Sequence, residues 1–372
     1  MTRVRTIELR LVALDLVHPF RTSFGEMTRK TCILVALETD GAIGWGECVT
    51  SEEPDFSEEF NEAAWLVIRD LLAPMLLAGD DLTASRVEEV FGTVRGNPMA
   101  KAALLNAFLD AELRETGVSL AAFLGAERAR VECGVSVGIA SSTSALLEQV
   151  DGFLAEGYRR IKLKIRPGKD VEPVRAVRER HPGVSLSVDA NAAYTLDDLE
   201  VFRTLDAFEL SMIEQPLHHE DLVEHAELQR RIRTDLCLDE SIRSAALARA
   251  AIELGACRIV NVKQGRVGGI LEAGRLHDVA RSRGVPIWCG GMLETGVGRA
   301  TNLCLAAMPG FTLPGDTSAS RRYFHEDLTE PFAMARDGTM AVPIGPGIGV
   351  DPLPDRLERA TVRIERLPAE RR

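Results

Sequence analysis

Five charged residues recur through the middle of the chain at almost constant intervals. Lys164, Asp189, Glu214, Asp239 and Lys263 are separated by 25, 25, 25 and 24 residues. Each lies at or near the end of an apolar run, in RIKLKI, VSLSVDAN, LSMIEQP, DLCLDES and RIVNVKQG. An interval of that length holds one strand, a turn, a helix and a turn back, which is the repeat of a (β/α) barrel. The C-terminal ends of parallel strands in such a barrel converge on one mouth, so side chains far apart in sequence meet over a small volume. The spacing therefore predicts both a fold and the place in it where chemistry occurs.

Eight apolar runs follow residue 130, at 132–139, 160–165, 184–189, 209–214, 235–239, 258–263, 286–290 and 311–315, with amphipathic helices between them, as at 144–156, 196–205 and 270–283. Eight strands suffice to close a barrel. Before it, strand patterns at 6–17, 31–39 and 43–49, with an Asp40-Gly41 turn, predict a small antiparallel sheet. Helical spacing at 57–77, 85–94 and 99–116 then covers that sheet. HPFRTSFGEM, between the first two strands, reads either as a mobile flap or as a long hairpin connection. The chain is expected to divide into an α+β capping unit at 1–128, a barrel at 129–320 and a tail at 321–372, whose ATVRIERL segment returns to the first unit.

Composition excludes several functional classes. The 372 residues carry 56 acidic against 44 basic side chains, a formal charge of -12, and no long basic block. Nucleic acid and anionic membranes are therefore not expected partners. No run approaches a membrane span, the N-terminus has no signal-peptide pattern, and the seven cysteines form no CxxC pair; a reduced, cytoplasmic protein is expected. The seven histidines show no HxH or HExxH spacing, which argues against zinc.

Three carboxylates converging from neighbouring strands repel one another unless a cation lies between them, and an all-oxygen set suits Mg²⁺ or Mn²⁺. Asp189, Glu214 and Asp239 are accordingly the candidate metal ligands, with Asn191 and Glu240 placed to support them. Lys164 and Lys263 flank that set from opposite sides of the barrel as candidate bases. A lysine base needs a lowered pKa, for which the metal, burial, and the cationic neighbours Lys162 and Arg266 are the candidate causes. A metal between two lysines fits abstraction of a proton α to a carboxylate, with the enolate stabilised by the cation and the proton returned by the second lysine.

The segments KLK, VDAN, IEQP, LDES, NVKQG, GGMLETGVGRA and FTLPGDTSAS, with PFRTSFG, GWGECVT, GNPMAKAAL and GVSVGI outside or at the start of the barrel, resemble the enolase superfamily. Within it they resemble the subgroup of N-succinylamino acid racemases and o-succinylbenzoate synthases, muconate-lactonizing-enzyme-like in fold. The resemblance implies a modified TIM (β/α) barrel with an α+β N-terminal cap completed by the C-terminal tail, and Mg²⁺ with a lysine or histidine base, as is general for enolase-superfamily sites. It matches Lys164 and Lys263 to the paired acid/base lysines, and Asp189, Glu214 and Asp239 to the metal ligands. Phe20, Ser136, Gly291, Met292 and Leu293 match positions lining the substrate pocket.

Two positions depart from the pattern. Ser51 stands where a larger apolar residue is frequent, and Gln264 where proline is common. The implied reaction is racemisation of N-acyl, chiefly N-succinyl, amino acids. The alternative is syn dehydration to o-succinylbenzoate in menaquinone biosynthesis, or both activities in one enzyme. The implied partners are a small-molecule carboxylate substrate and further copies of the chain in a homo-oligomer. A non-catalytic barrel that binds a carboxylate is the reading from another class.

Overall fold

A computed structural model describes residues 2–23 and 25–369. Strands β1 (Val4–Arg21), β2 (Glu26–Thr39) and β3 (Ile43–Cys48) form an antiparallel sheet. The first two run further than their apolar alternation suggests. Most of HPFRTSFGEM is a β-ribbon rather than a loop, pairing Phe20 with Met27 and Arg21 with Glu26 after a register shift that begins at Asp15. Pairing satisfies backbone groups that an open loop would leave to water. Phe24 lies outside the described residues.

The long helix Pro98–Thr116 packs on this sheet, and two glycines permit the contact. A Cβ at Gly44 or Gly46 would fall 2.0 Å from the carbonyl oxygens of Ala107 and Ala103, so β3 lies directly on the helix backbone. The helical segment expected at 57–77 starts at Asn61 and passes through a π-helical turn, Ile68–Leu72.

After β4 (Arg130–Glu132) come β5 (Gly134–Val137), β6 (Arg160–Lys164), β7 (Ser185–Asp189), β8 (Ile213–Glu214), β9 (Leu236–Leu238), β10 (Ile259–Val262) and β11 (Ile287–Cys289). The strands from β5 to β11 lie side by side in chain order, and every pairing between them is parallel. The connecting helices open on side-chain caps. Ser142, Asp221 and Ser244 accept from the backbone of the first turns of Thr143–Glu156, Leu222–Arg231 and Ala245–Leu254.

The eighth apolar run, 311–315, is not a regular strand. It makes two isolated parallel bridges, Phe311 to Ile287 and Gly315 to Cys133, and so joins β11 to the start of β5. Pro314, with no N–H to donate, interrupts the ladder between them. Beneath the mouth, Met212, Cys237, Ile259 and Trp288 fill the interior, with Leu313 against them.

The chain then returns to its beginning. Strand β12 (Thr339–Ala341) pairs with β4, and β13 (Thr361–Pro368) adds antiparallel to β1. All seven cysteines are free and buried. Among the described residues no helix is long and apolar enough to cross a membrane.

One buried carboxylate fastens cap to barrel. Glu47 on β3 accepts from the Thr295 N–H at 3.1 Å, the Thr295 hydroxyl at 2.7 Å and the Gly298 N–H at 3.0 Å, at the N-terminus of helix Gly296–Ala306. That end of a helix favours negative charge. Glu47→Ala strands these buried donors and is expected to destabilise the fold by about 2–3 kcal/mol. Thermal unfolding beside Glu47→Gln, which keeps an acceptor, checks this; equal melting temperatures for wild type and Glu47→Ala would refute the fastening role.

Candidate active site

Register places the strand-end groups side by side. Lys164 pairs with Asp189, Asp189 with Glu214, and Glu214 with Cys237, two residues before Asp239. Lys263 directly follows β10. Asp189, Glu214 and Asp239 are at most 1% exposed.

Ammonium and guanidinium groups interleave with these carboxylates. Lys164 Nζ lies 2.7 Å from Asp189 Oδ2 and 2.6 Å from Asn191 Oδ1, while Asn191 Nδ2 donates to Glu240 Oε1 at 2.9 Å. Lys263 Nζ lies 2.7 Å from Asp239 Oδ2, and Arg266 pairs with the other oxygen of Asp239. Lys162 is a hub, 2.8 Å from Glu214, 3.1 Å from Asp189 and 2.8 Å from Asp316. Neither Lys162 nor Arg266 is surface charge; they are 3% and 2% exposed.

The electrostatics follow from this packing. Burial, reinforced by Asp189 and Asp239, pushes the Glu214 carboxyl up to about 8. Burial, with Asp239 and Asp189 again adding to it, pushes Glu240 up to about 7. Against the same burial, Lys164 and Lys162 hold Asp189 below the ordinary carboxylate range. Lys263 departs from the expected lowering. Burial and Arg266 do act in that direction, but the facing Asp239 carboxylate outweighs them and raises its pKa. A cation engaging Asp239 would remove much of that opposing charge.

These residues fit a hard divalent cation. They bring three buried carboxylates onto neighbouring strands, and Glu240 adds a buried oxygen, Oε2, with no hydrogen-bond partner. Basic side chains engage the carboxylate oxygens, and no three acidic groups among the described residues form a ready-made cage. Cation binding requires those ammonium contacts to be exchanged.

Above the carboxylates lies a cavity of about 270 Å³. Lys162, Lys164, Asn191 and Lys263 line it, together with Phe20, Ser51, Ser136, Gly291, Met292 and Leu293. Asp189, Glu214, Asp239, Glu240 and Arg266 do not; they stand beneath or behind it. Gln264 faces away, accepting from Asn106 of the cap helix at 2.6 Å, which ties the turn after Lys263 to that helix.

Several groups were not singled out from sequence. Asp316, in the GDTSAS segment, takes Lys162 and also Arg160 at 2.5 Å. Asn261 donates to Glu214 Oε1 at 2.7 Å and sits two residues before Lys263, a spacing that puts it on the same strand face. Gln215, at φ 36°, accepts from the backbone of Asp239 and Ser241 and thereby ties two carboxylate-bearing strand ends together. Phe56 from the cap lies under the Lys263 ammonium, 4.5 Å from Nζ to the ring centre, and no spacing signal marks it.

A capped parallel barrel with basic and acidic groups alternating around its mouth defines an enolase-type protein. Residues 6–125 match the mandelate racemase / muconate lactonizing enzyme N-terminal domain, and residues 145–356 the enolase C-terminal domain-like family. An N-succinylamino acid racemase of Amycolatopsis sp is 55% identical over 95% of this chain and 96% of its own. An o-succinylbenzoate synthase of Geobacillus kaustophilus is 46% identical over 96% of both. A crystal structure of an enolase-superfamily member from Listeria innocua superposes with a TM-score of 0.95 at 38% identity, covering all of both chains. The chain belongs to the enolase superfamily. It is an enzyme of that superfamily, whose members generally use a divalent metal and act on small-molecule carboxylates.

Proposed function

We propose that this enzyme racemises N-succinylamino acids by 1,1-proton transfer between two lysines. The observation that carries this reading is that Lys164 and Lys263 line one cavity from β6 and β10, each held by a different member of the carboxylate set. Asp189, Glu214 and Asp239 are the proposed ligands of Mg²⁺, which would supply the charge that makes the substrate α-proton acidic. One lysine removes that proton, and the other delivers a proton to the opposite face. Lys162 and Arg266 hold the carboxylates in place, and Asn191 orients Lys164. Residues 1–128 and 321–372 form the proposed cap and 129–320 the catalytic barrel.

Dehydration to o-succinylbenzoate is the second reading, supported by the 46% identity to a synthase and by its need for the same α-proton abstraction. Polarimetry of N-succinyl-L-phenylalanine with Mg²⁺, run beside a dehydration assay, separates the two. Loss of rotation is expected. Unchanged rotation together with turnover of the cyclohexadiene acid would transfer the assignment to the synthase reaction, and inactivity in both would sink the substrate class.

A further inference from the structure

Five basic side chains line the cavity: Arg29, Lys30, Lys162, Lys164 and Lys263. Four of them have a carboxylate partner. Lys162, Lys164 and Lys263 hold the strand-end acids, and Arg29 pairs with Asp15 at 2.9 Å.

Lys30 on β2 is the exception. It is 1% exposed, and its Nζ donates to two main-chain carbonyls, Val49 at 3.2 Å and Thr50 at 3.0 Å. Among the described residues no ion pair to it is formed. The acid whose charge it feels, Glu47, is committed to Thr295 and Gly298 of the barrel helix. An ammonium carries three donors, and two carbonyls leave one over. Burying a cation on neutral acceptors alone is costly unless an anion completes the set. Lys30 is thus a buried cation on the wall of the cavity, without the direct carboxylate partner that the other four possess.

We propose that Lys30 receives the distal carboxylate of the substrate's acyl arm and makes the site selective for dicarboxylate-derived acyl groups over neutral ones of equal length. The inference rests on the proposed function, in either version, since both reactions take a succinyl-bearing carboxylate. Its chemistry differs from that of the strand-end lysines. Those move protons or hold the strand-end carboxylates; Lys30 supplies fixed charge at the far end of the ligand.

The test is calorimetric binding of N-succinylglycine and N-butanoylglycine, which differ by a carboxylate against a methyl, to the Mg²⁺-loaded wild type, Lys30→Met and Lys30→Arg. Lys30→Met is expected to weaken N-succinylglycine by about 10- to 100-fold and to leave N-butanoylglycine within about threefold, with Lys30→Arg retaining part of the preference. Equal weakening of both ligands would reduce Lys30 to a tie between β2 and the Val49–Thr50 backbone and overturn the proposal, as would no change in either. Glycine derivatives have no stereocentre to invert, so this ratio decides the role of Lys30 independently of turnover. Failure of the racemase reading would show separately, as retained rotation of N-succinyl-L-phenylalanine.

Discussion

Lys164→Ala and Lys263→Ala should each lower racemisation of N-succinylphenylalanine by about 10³-fold or more, within the range that a positioned acid–base group contributes. Their residual chemistry should be complementary. With one lysine removed, the other can still take and return a proton on its own face, so each variant should exchange the α-proton of one enantiomer in D₂O and not of the other. The geometry underlies this: Lys164 ends β6 and Lys263 follows β10, with β7, β8 and β9 between them in the sheet. Proton NMR on the separate enantiomers reads the result. Loss of exchange from both enantiomers in Lys164→Ala alone would leave Lys263 as an electrostatic partner, and favour the dehydratase reading.

Glu214→Gln should be comparably severe for a different reason. Glu214 is the central carboxylate of the three, fully buried, with Asn261 donating to one oxygen and Lys162 to the other. Glutamine occupies nearly the same volume, so the fold should persist while the cation loses the charge of its middle ligand. Racemisation is expected to fall by at least about 10³-fold. The more specific readout is linkage. A cation that binds only the folded state at a hundredfold excess over its Kd stabilises it by about 2.7 kcal/mol. Addition of Mg²⁺ should therefore raise the melting temperature of the wild type, chelation should reverse the rise, and Glu214→Gln should show little of it. An equal rise in both proteins would place the cation elsewhere.

The strand-end groups were legible because a barrel repeats one structural unit, and a repeat converts three-dimensional convergence into a sequence period. Lys164, Asp189, Glu214, Asp239 and Lys263 stood out for that reason, and the seven parallel strands followed. The eighth did not, since an apolar run interrupted by Pro314 keeps its place in the ring through two bridges without a continuous ladder. The protonation balance at Lys263 was also hidden. Its neighbours were correctly expected to be cationic, but the direct contact with Asp239 depends on side-chain packing that no spacing encodes. Residues contributed by the cap were hardest to find. Lys30 and Phe56 reach the cavity from β2 and a connecting segment of the cap, outside the barrel period, and only the cavity they line and the contacts they make reveal them. Arg266 stands three residues after Lys263 and was legible as its cationic neighbour; its guanidinium bonds Asp239 and the backbone of Asn261 and Ile242.

The central claim is that two lysines act on opposite faces of one carbon. Its most direct test is the isotopic content of early product. N-succinyl-L-phenylalanine would be incubated with the Mg²⁺ enzyme in D₂O, the reaction stopped at a few percent conversion, and the enantiomers separated for mass analysis. The account predicts that the D enantiomer carries deuterium at Cα, because the lysine that delivers its proton is not the one that removed the substrate's. A D product that retains the original α-proton would contradict it, since a single group would then have carried that proton from one face to the other.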